Sequence, residues 1–389
     1  MPPSRNLGVD VTLSVWNSFF SEEQIQGFKS SQMTVRLLTN RRCCSSPDSL
    51  SMAWVSWLYL RLFFKTKKQV FRRLSIHAFD LEAGSNPLNT KVLWAYVTSS
   101  SRLMTKAKRL RIPIILDVPI AHMRRYHEVM IPEFAKYGLP YTEPNWAHWV
   151  QKCEAAYLTA DWLSVGSRFV KETLVNRGVR PERILINPYG IDGSHWSKCH
   201  EAAQRDANKM IFIFTASVTL RKGIQYLLEA WRIAGIKNAE LRIVGGGTLP
   251  WEKLAGGSLP TSVTMVGRLN HKQLQDEYTR AHVYVLPSLQ EGLARSGLEA
   301  MAAGLAMVVT PETGLTDFVE DGKHGWIVKS RDADALAKRL AWCVSHKDSV
   351  SAAQQAAFEA AKHFRFSAYG LRCARIAKAV IEGRQPPTI

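Results

Sequence analysis

Short runs of β-branched and other apolar residues alternate with longer amphipathic stretches along most of the chain, and this rhythm restricts the fold more than any other feature. VDVTLSV, TVRLLT, RLSIHAF, IPIILDV, DWLSVGS and ILINPYG recur through the first half. IFIFTAS, ELRIVGG, SVTMVG, HVYVLPS, LAMVVT and GWIVK repeat the pattern in the second. Strands separated by helix-length segments pair in parallel rather than as hairpins, and parallel sheets need helices over both faces, so the alternation predicts doubly wound α/β units. A chain of 389 residues has room for two. The break is expected in PYGIDGSHWSKCHEAAQRDANK, near residues 188–209, where Pro, Gly and polar residues interrupt the apolar runs. Open α/β sheets bind ligands outside the carboxyl ends of their strands, which makes a cleft between the two units the expected site.

Charge narrows the partners. Fifty-one Lys and Arg stand against 33 Asp and Glu, a formal net charge of +18, so phosphate groups, nucleic acid or a membrane surface is expected nearby. The basic residues are spread over the chain and no recognised nucleic-acid motif accompanies them, so nucleic acid is not expected as a partner. A hydrophobic fraction of 46% excludes a mostly disordered chain. Cys43, Cys44, Cys153, Cys199, Cys343 and Cys373 never form C-x-x-C, which suggests neither a zinc cage nor a redox pair. The opening MPPSRNLGVDVTLSV lacks the apolar core and cleavage site of a secretory signal, so a cytoplasmic location is expected.

The most apolar stretch, MAWVSWLYL from Met52 to Leu60, is ended by Arg61, short of the about 20 residues a spanning helix needs. Read as a helix, residues 52–74 put Arg61, Lys65, Lys68 and Arg72 on one stripe and Trp57, Leu60, Phe64, Phe71 and Leu74 on another. Two readings stand side by side. One is an interfacial helix on an anionic membrane surface, placing the protein peripherally on the cytoplasmic face; the other is a core-facing helix with a solvated basic side.

Several chemistries lack their motifs. G-x-x-x-x-G-K-[ST] is absent, and Gly245, Gly246 and Gly247 run into Thr248, Leu249 and Pro250, which breaks G-x-G-x-x-G. There is no H-E-x-x-H, and His122 and His127 lie five apart, off a common helix face. Asp332 and Asp334 form D-x-D at the start of the helical pattern SRDADALAKRL, where carboxylates complement the helix dipole, so no metal site is expected. No G-x-S-x-G nucleophile elbow appears either.

The segment HVYVLPSLQEGLARSGLEAMAAG, residues 282–304, reads as strand, tight loop and helix. Free amides and the positive dipole end at such a helix start suit a diphosphate. Gly292, Ala294, Ser296 and Gly297 are small enough for close backbone approach. Glu299, one turn into the helix, is placed to accept hydrogen bonds from two ribose hydroxyls, and Glu291 in the loop to do the same for a sugar; either alone would read equally well as a solvated carboxylate.

Glu291 to Glu299 is E-x(7)-E, and with its flanks it resembles the signature of family 4 glycosyltransferases, retaining enzymes of the GT-B fold in which two Rossmann-like domains face a cleft. LRKGIQYLLEAW (220–231), LRIVGGG (241–247), VGRLNHKQLQDEYTRAHVYVLPS (266–288) and TGLTDFVEDGKHGWIV (313–328) are similar to donor-domain elements of that family. INPYGIDGSHW (186–196) resembles the interdomain segment and DWLSVGSRFVKETLVNRGV (161–179) the end of the acceptor domain, so the likeness covers about residues 150–345. It implies an acceptor-binding domain over residues 1–190, with a helix at about 367–389 packing back on it, and a nucleotide-sugar-binding domain over 191–366. It further implies that Lys222 binds the leaving diphosphate, Glu299 the ribose and Glu291 the transferred sugar. Donor contacts are implied from Ser217, Arg221, Gly245, Arg268, Gly292, Leu293, Ala294 and Arg295.

The chain departs from the family in places. Ala216 and Ser217 stand where the family has Gly-Arg, so the usual phosphate-gripping arginine is missing; Arg221 is a candidate replacement, although neighbours in a loop usually point apart. Gly297 replaces a common Pro. After the strand IPIILDV, His122 resembles the family's acceptor-domain histidine, with Asp117 as a rival. Arg124 and Arg125 read either as contacts for an anionic acceptor or as a solvated helix start. The glycine-rich first loop is replaced by WNSFFSEEQIQGF.

The resemblance implies a retaining, metal-independent glycosyltransferase that moves a sugar from a UDP- or GDP-sugar to a hydroxyl acceptor, such as a lipid-linked or envelope glycan precursor. His122, Lys222 and Glu291 would be its catalytic residues and the nucleotide sugar its co-substrate, with no further cofactor. The alternative is a non-catalytic nucleotide-sugar or polyanion binding protein on the same fold, favoured only by the missing arginine at Ser217.

Overall fold

The computed structural model describes residues 9–14, 33–38, 88–98, 101–141, 143, 145–206, 208–247, 249–250, 254 and 256–388. The stretch 52–74, the run RLSIHAF, the segment after VDVTLSV, Cys43 and Cys44 lie outside the described residues. Of the sequence expectations, the two-sheet α/β architecture holds.

The first sheet runs β2-β1-β3-β4-β5-β6, every neighbour parallel. Its strands are Val9–Ser14 (β1), Met33–Leu38 (β2), Leu93–Tyr96 (β3), Ile114–Val118 (β4), Trp162–Val165 (β5) and Ile184–Ile186 (β6). Five of these fall on expected runs. β3 was not expected: LWAY is four residues long and mostly buried, and so short an apolar run has no period that separates strand from helix. Ser101–Arg109 (α1), Met123–Lys136 (α2), Trp146–Thr159 (α3) and Arg168–Val175 (α4) connect the later strands.

The second sheet is built from Met210–Thr215 (β7), Ala239–Val244 (β8), Val263–Gly267 (β9), Val283–Leu286 (β10), Ala306–Val309 (β11) and Gly325–Ile327 (β12), all on expected runs. Its order is β12-β11-β10-β7-β8-β9, again parallel. The chain winds outward from β7 through β9, then returns to β7's other side with β10. Loops leaving β7 and β10 therefore part in opposite directions, opening the crevice in which such sheets bind ligands. Phe212, Phe214, Trp231, Tyr278 and Tyr284 fill the core beneath.

Two segments join the sheets. Ile191 N donates to Phe364 O at 2.7 Å and Phe366 N to Ile191 O at 3.3 Å, so the outgoing and returning crossings lie side by side. After the second crossing, the helix Phe366–Ile381 (α11, following Ala333–Ser345 as α9 and Lys347–Ala361 as α10) lays Tyr369, Cys373, Ala374, Ile376, Ala377 and Val380 against Val92, Trp94, Ile115 and Leu185 of the first sheet. Asp332 caps α9 through its Oδ1, which accepts Ala335 N at 2.8 Å, in agreement with the helix-start reading of D-x-D.

The helix Arg295–Ala302 (α8), which carries Glu299, is pinned from the linker. Arg205 Nε donates to Ala281 O at 2.7 Å and its Nη2 to Ala303 O at 3.2 Å and Gly304 O at 2.8 Å, so one guanidinium satisfies carbonyls at the helix's C-terminal end. Arg205→Ala leaves these carbonyls short of a donor and is expected to cost about 2 kcal/mol, with a lower urea midpoint in denaturation followed by circular dichroism.

Candidate active site

The two loops that diverge at the strand-order reversal carry the charged groups. After β7 the chain makes a tight turn of 3₁₀ geometry over Leu220–Lys222, and Gly223 starts the helix Ile224–Ala234 (α6) with φ +73°. A Cβ at Gly223 would collide with the Pro287 carbonyl oxygen, so only glycine lets the turn lie against the loop that follows β10. Leu289 N then donates to Arg221 O at 2.8 Å, and Arg221 Nη1 to Gln290 O at 2.8 Å. Thr310 Oγ1, from the end of β11, fixes Ser288 O at 2.6 Å.

These bonds aim three charges at one point. Glu291 Oε1 lies 2.5 Å from Arg221 Nη1, 2.5 Å from Lys222 Nζ and 3.3 Å from Ser288 Oγ. Arg221 and Lys222, expected to diverge as sequence neighbours, converge because the tight turn folds both side chains towards the same loop. Burial alone would push the Glu291 carboxyl up, but Lys222 and then Arg221 outweigh it and leave it below the usual range. Burial is also the largest influence on Lys222 and holds it below its ordinary value despite Glu291. In Arg221 the same burial is outweighed by Glu291. The expected free carboxylate at Glu291 is thus the counter-ion of the expected phosphate-binding cations.

Glu299 sits one turn into α8, with its side chain 15% exposed and its Oε1 3.8 Å from Arg295 Nη2. Burial raises its carboxyl to about 7, and Arg295 offsets only part of that. At the head of α8, intrahelical bonding begins with Gly297 N to Ala294 O at 2.9 Å, so the amides of Arg295 and Ser296 precede it. Ala294 N does not join them, because it donates to Thr313 O at 3.0 Å. Leu293 and Ala294 are buried and Arg295 is exposed. Gly297 admits packing rather than a ligand: a Cβ there would strike Leu315. Ser217 is exposed at the end of β7, Gly245 lies against Ala216 O with φ +146°, and the exposed Arg268 folds over Gly246.

The first sheet's side closes on this loop. Ile120 and Gly292 form an antiparallel bridge, Ala121 N donates to Glu291 O at 3.2 Å, and Ser167 Oγ to Gly292 O at 2.5 Å. The close approach that Gly292 permits is by the Pro119 carbonyl, which a Cβ would obstruct. Main chain beside His122, not its ring, therefore reaches Glu291. The ring caps α2: its Nδ1 accepts Arg124 N at 3.2 Å, its face packs on Tyr157 with centroids 5.2 Å apart, and its Nε2 stands 3.9 Å from Glu154. Burial lowers its pKa to about 4, so the ring is neutral near pH 7. Asp117, at the end of β4, is half-buried, has its buried Oδ1 without a partner among the described residues, and is raised to about 7 by desolvation. Arg124 forms a two-pronged pair with Glu154 at 2.9 and 2.8 Å, and Arg125 donates to Gln290 Oε1, so both are engaged within the protein.

The sequence reading missed Ser288, Gln290 and Gln225; Ser288 passes for an ordinary strand end although its hydroxyl reaches Glu291 three residues on, and nothing in the spacing of the glutamines marks them, because their partners Arg125 and Glu133 come from distant segments. Among the described residues no group of three or more His, Cys, Asp or Glu is placed to hold a metal ion. No helix among them is long and apolar enough to cross a membrane.

Residues 198–360 match the family model of glycosyl transferases group 1. WcaL of Salmonella typhimurium, by name a colanic acid biosynthesis glycosyltransferase, is 28% identical over 206 residues, which is 50% of this chain and 50% of that protein. The chain thus spans about half the length of the curated relatives it matches. Sucrose-phosphate synthase from Thermosynechococcus elongatus superposes with a TM-score of 0.65 at 17% identity, covering 96% of this chain and 100% of that one. Anabaena HepE in complex with UDP-glucose superposes with a TM-score of 0.60 at 14% identity, covering 94% and 98%. The fold is GT-B, and its second half carries a segment that matches the glycosyl transferases group 1 model.

Proposed function

We propose that the chain is a retaining glycosyltransferase that moves a sugar from a nucleotide-diphosphate donor, UDP- or GDP-linked, to a hydroxyl acceptor without a metal ion. The observation that carries this reading is the convergence of Arg221 and Lys222 on one buried carboxylate at the strand-order reversal. Cleaving the anomeric C–O bond builds negative charge on the departing diphosphate, and two fixed cations with the α8 amides stabilise that charge in a site from which water is largely excluded. In the free protein Glu291 balances the cations. When a diphosphate takes over that role, the carboxylate is released to accept hydrogen bonds from the sugar hydroxyls, and Glu299 accepts from the ribose. The departing phosphate oxygen takes the proton of the acceptor hydroxyl on the same face, as the acceptor oxygen bonds to the anomeric carbon. His122 would act on the sugar only by leaving its cap, so Asp117 is the stronger acceptor-side candidate.

The donor class is supported by the UDP-glucose bound to the HepE fold neighbour, and a glycan acceptor by the naming of WcaL after colanic acid biosynthesis. A non-catalytic binder on the same fold was favoured only by Ser217, and Arg221 supplies a second cation in its place. Transfer or donor hydrolysis measured on UDP- and GDP-sugars is expected to fall about 100-fold or more in Lys222→Ala and Glu291→Ala. Traces identical to wild type would replace the enzyme with the binder.

The Glu299 carboxyl, raised to about 7, sets a pH dependence. Its charged form accepts from both ribose hydroxyls and is lost as pH falls through about 7. Donor affinity by calorimetry should therefore rise about tenfold from pH 6 to pH 8, following the ionised fraction. Glu299→Gln should flatten the profile. Stability runs the other way: the ionised buried carboxyl weakens the fold as pH climbs from its ordinary range through about 7, and Glu299→Gln removes that slope.

The basic residues Arg61, Lys65, Lys68 and Arg72 beside an apolar run, and the expected acceptors, support a peripheral position on the cytoplasmic membrane face. Flotation with liposomes is expected to recover the protein only when anionic lipid is present. Binding unaffected by replacing Arg61, Lys65, Lys68 and Arg72 with Gln would dismiss this stretch as the contact.

A further inference from the structure

Helix α2 belongs to the first sheet's half, yet it reaches the Leu220–Lys222 turn by two routes. Arg125, held over the Phe169 ring at 4.9 Å, donates to the side-chain Oε1 of Gln290, whose main-chain oxygen accepts Arg221 Nη1 at 2.8 Å. Two turns further along α2, Glu133 accepts Gln225 Nε2 at 3.0 Å and Arg331 Nε at 3.0 Å. The same Gln225 Nε2 donates to Leu220 O at 3.0 Å, at the start of the turn. Between these routes Met130 is buried in the core of the second half.

Both glutamines are fully buried, and among the described residues each keeps one polar atom without a partner, Nε2 in Gln290 and Oε1 in Gln225. An arginine can only donate, so Arg125 fixes which way the Gln290 amide faces. A glutamine kept for packing alone would leave no unpaired amide in a closed interface, where such a group carries the full cost of desolvation. Here each glutamine spans the two halves, Gln225 through its one amide nitrogen and Gln290 through its side-chain oxygen to Arg125 and its main-chain oxygen to Arg221.

We propose that Arg125 and Glu133 are positioning residues that, through Gln290 and Gln225, hold Arg221 and Lys222 in their anion-binding geometry only while α2 is docked on the second half, so that closure of the two halves and affinity for the donor diphosphate are coupled. This rests on reading the turn as the diphosphate site, but the coupling has a signature that needs no ligand. Undocking α2 frees the turn and exposes Lys222, whose side chain is 11% exposed in the docked state.

The test uses the full chain with Arg125→Ala, Arg125→Lys, Gln290→Ala, the Arg125→Ala/Gln290→Ala double variant, and Glu128→Ala as a control on the outer face of α2, where Glu128 pairs with Arg177. Acylation of Lys222 by an amine reagent, mapped by peptide mass spectrometry, should accelerate severalfold in Arg125→Ala and Gln290→Ala, no further in the double variant, and not in Glu128→Ala. Arg125→Lys should restore most of the protection. Donor KM should rise about tenfold in the two single alanine variants, within the roughly 5–150-fold range of intersite coupling, while kcat stays within about twofold. Unchanged Lys222 labelling in Arg125→Ala, or additive effects in the double variant, overturns the proposal. Absence of turnover on every nucleotide sugar would reject the proposed function, and Lys222 labelling would still decide the coupling.

Discussion

A single carboxylate shared by two neighbouring cations governs the rest of the site. Arg221 and Lys222 are both largely withdrawn from water, where adjacent like charges repel strongly unless an anion lies between them. Glu291 supplies it at 2.5 Å from each. Burying three charges is offset only while their geometry holds, and losing one partner leaves the others uncompensated. The main-chain bond from Leu289 to Arg221 and the Thr310 hydroxyl's bond to Ser288 O keep that geometry fixed. Any anion that replaces Glu291 meets cations already desolvated and aimed.

Topology explains why these groups meet. β7 and β10 are neighbours in the sheet although far apart in sequence, and the winding reverses between them, so the two loops share one crevice. Gly223 lets the turn lie against Pro287, and Gly292 lets the Pro119 carbonyl approach from the other half. One glycine assembles the site within its sheet and the other brings the first sheet's half to it.

How much of this could be read from the sequence depends on the distance over which each signal acts. Period and punctuation are local, so eleven strands fell on apolar runs bounded by Gly, Pro and polar residues, while LWAY was too short to carry a period. The spacing from Glu291 to Glu299 marked both acids, but no spacing could tell that Glu291 turns inwards onto Lys222. His122 shows the ambiguity of a polar residue after a strand, which suits a helix cap as well as a ligand; with φ −46°, ψ 129° and a bond from Arg124 N it serves as a cap in the free protein. Gln290 and Gln225 were unreadable for a plainer reason: their partners Arg125 and Glu133 lie 165 and 92 residues away.

The paired crossings at Ile191 and Phe364–Phe366 have a mechanical consequence. Two covalent tethers hydrogen-bonded edge to edge form a flat strap, and a strap flexes across its thin dimension while resisting torsion. A strap of this shape favours a swing of the lobes about one axis over a swivel, and a swing of that kind returns Pro119 to the same glycine.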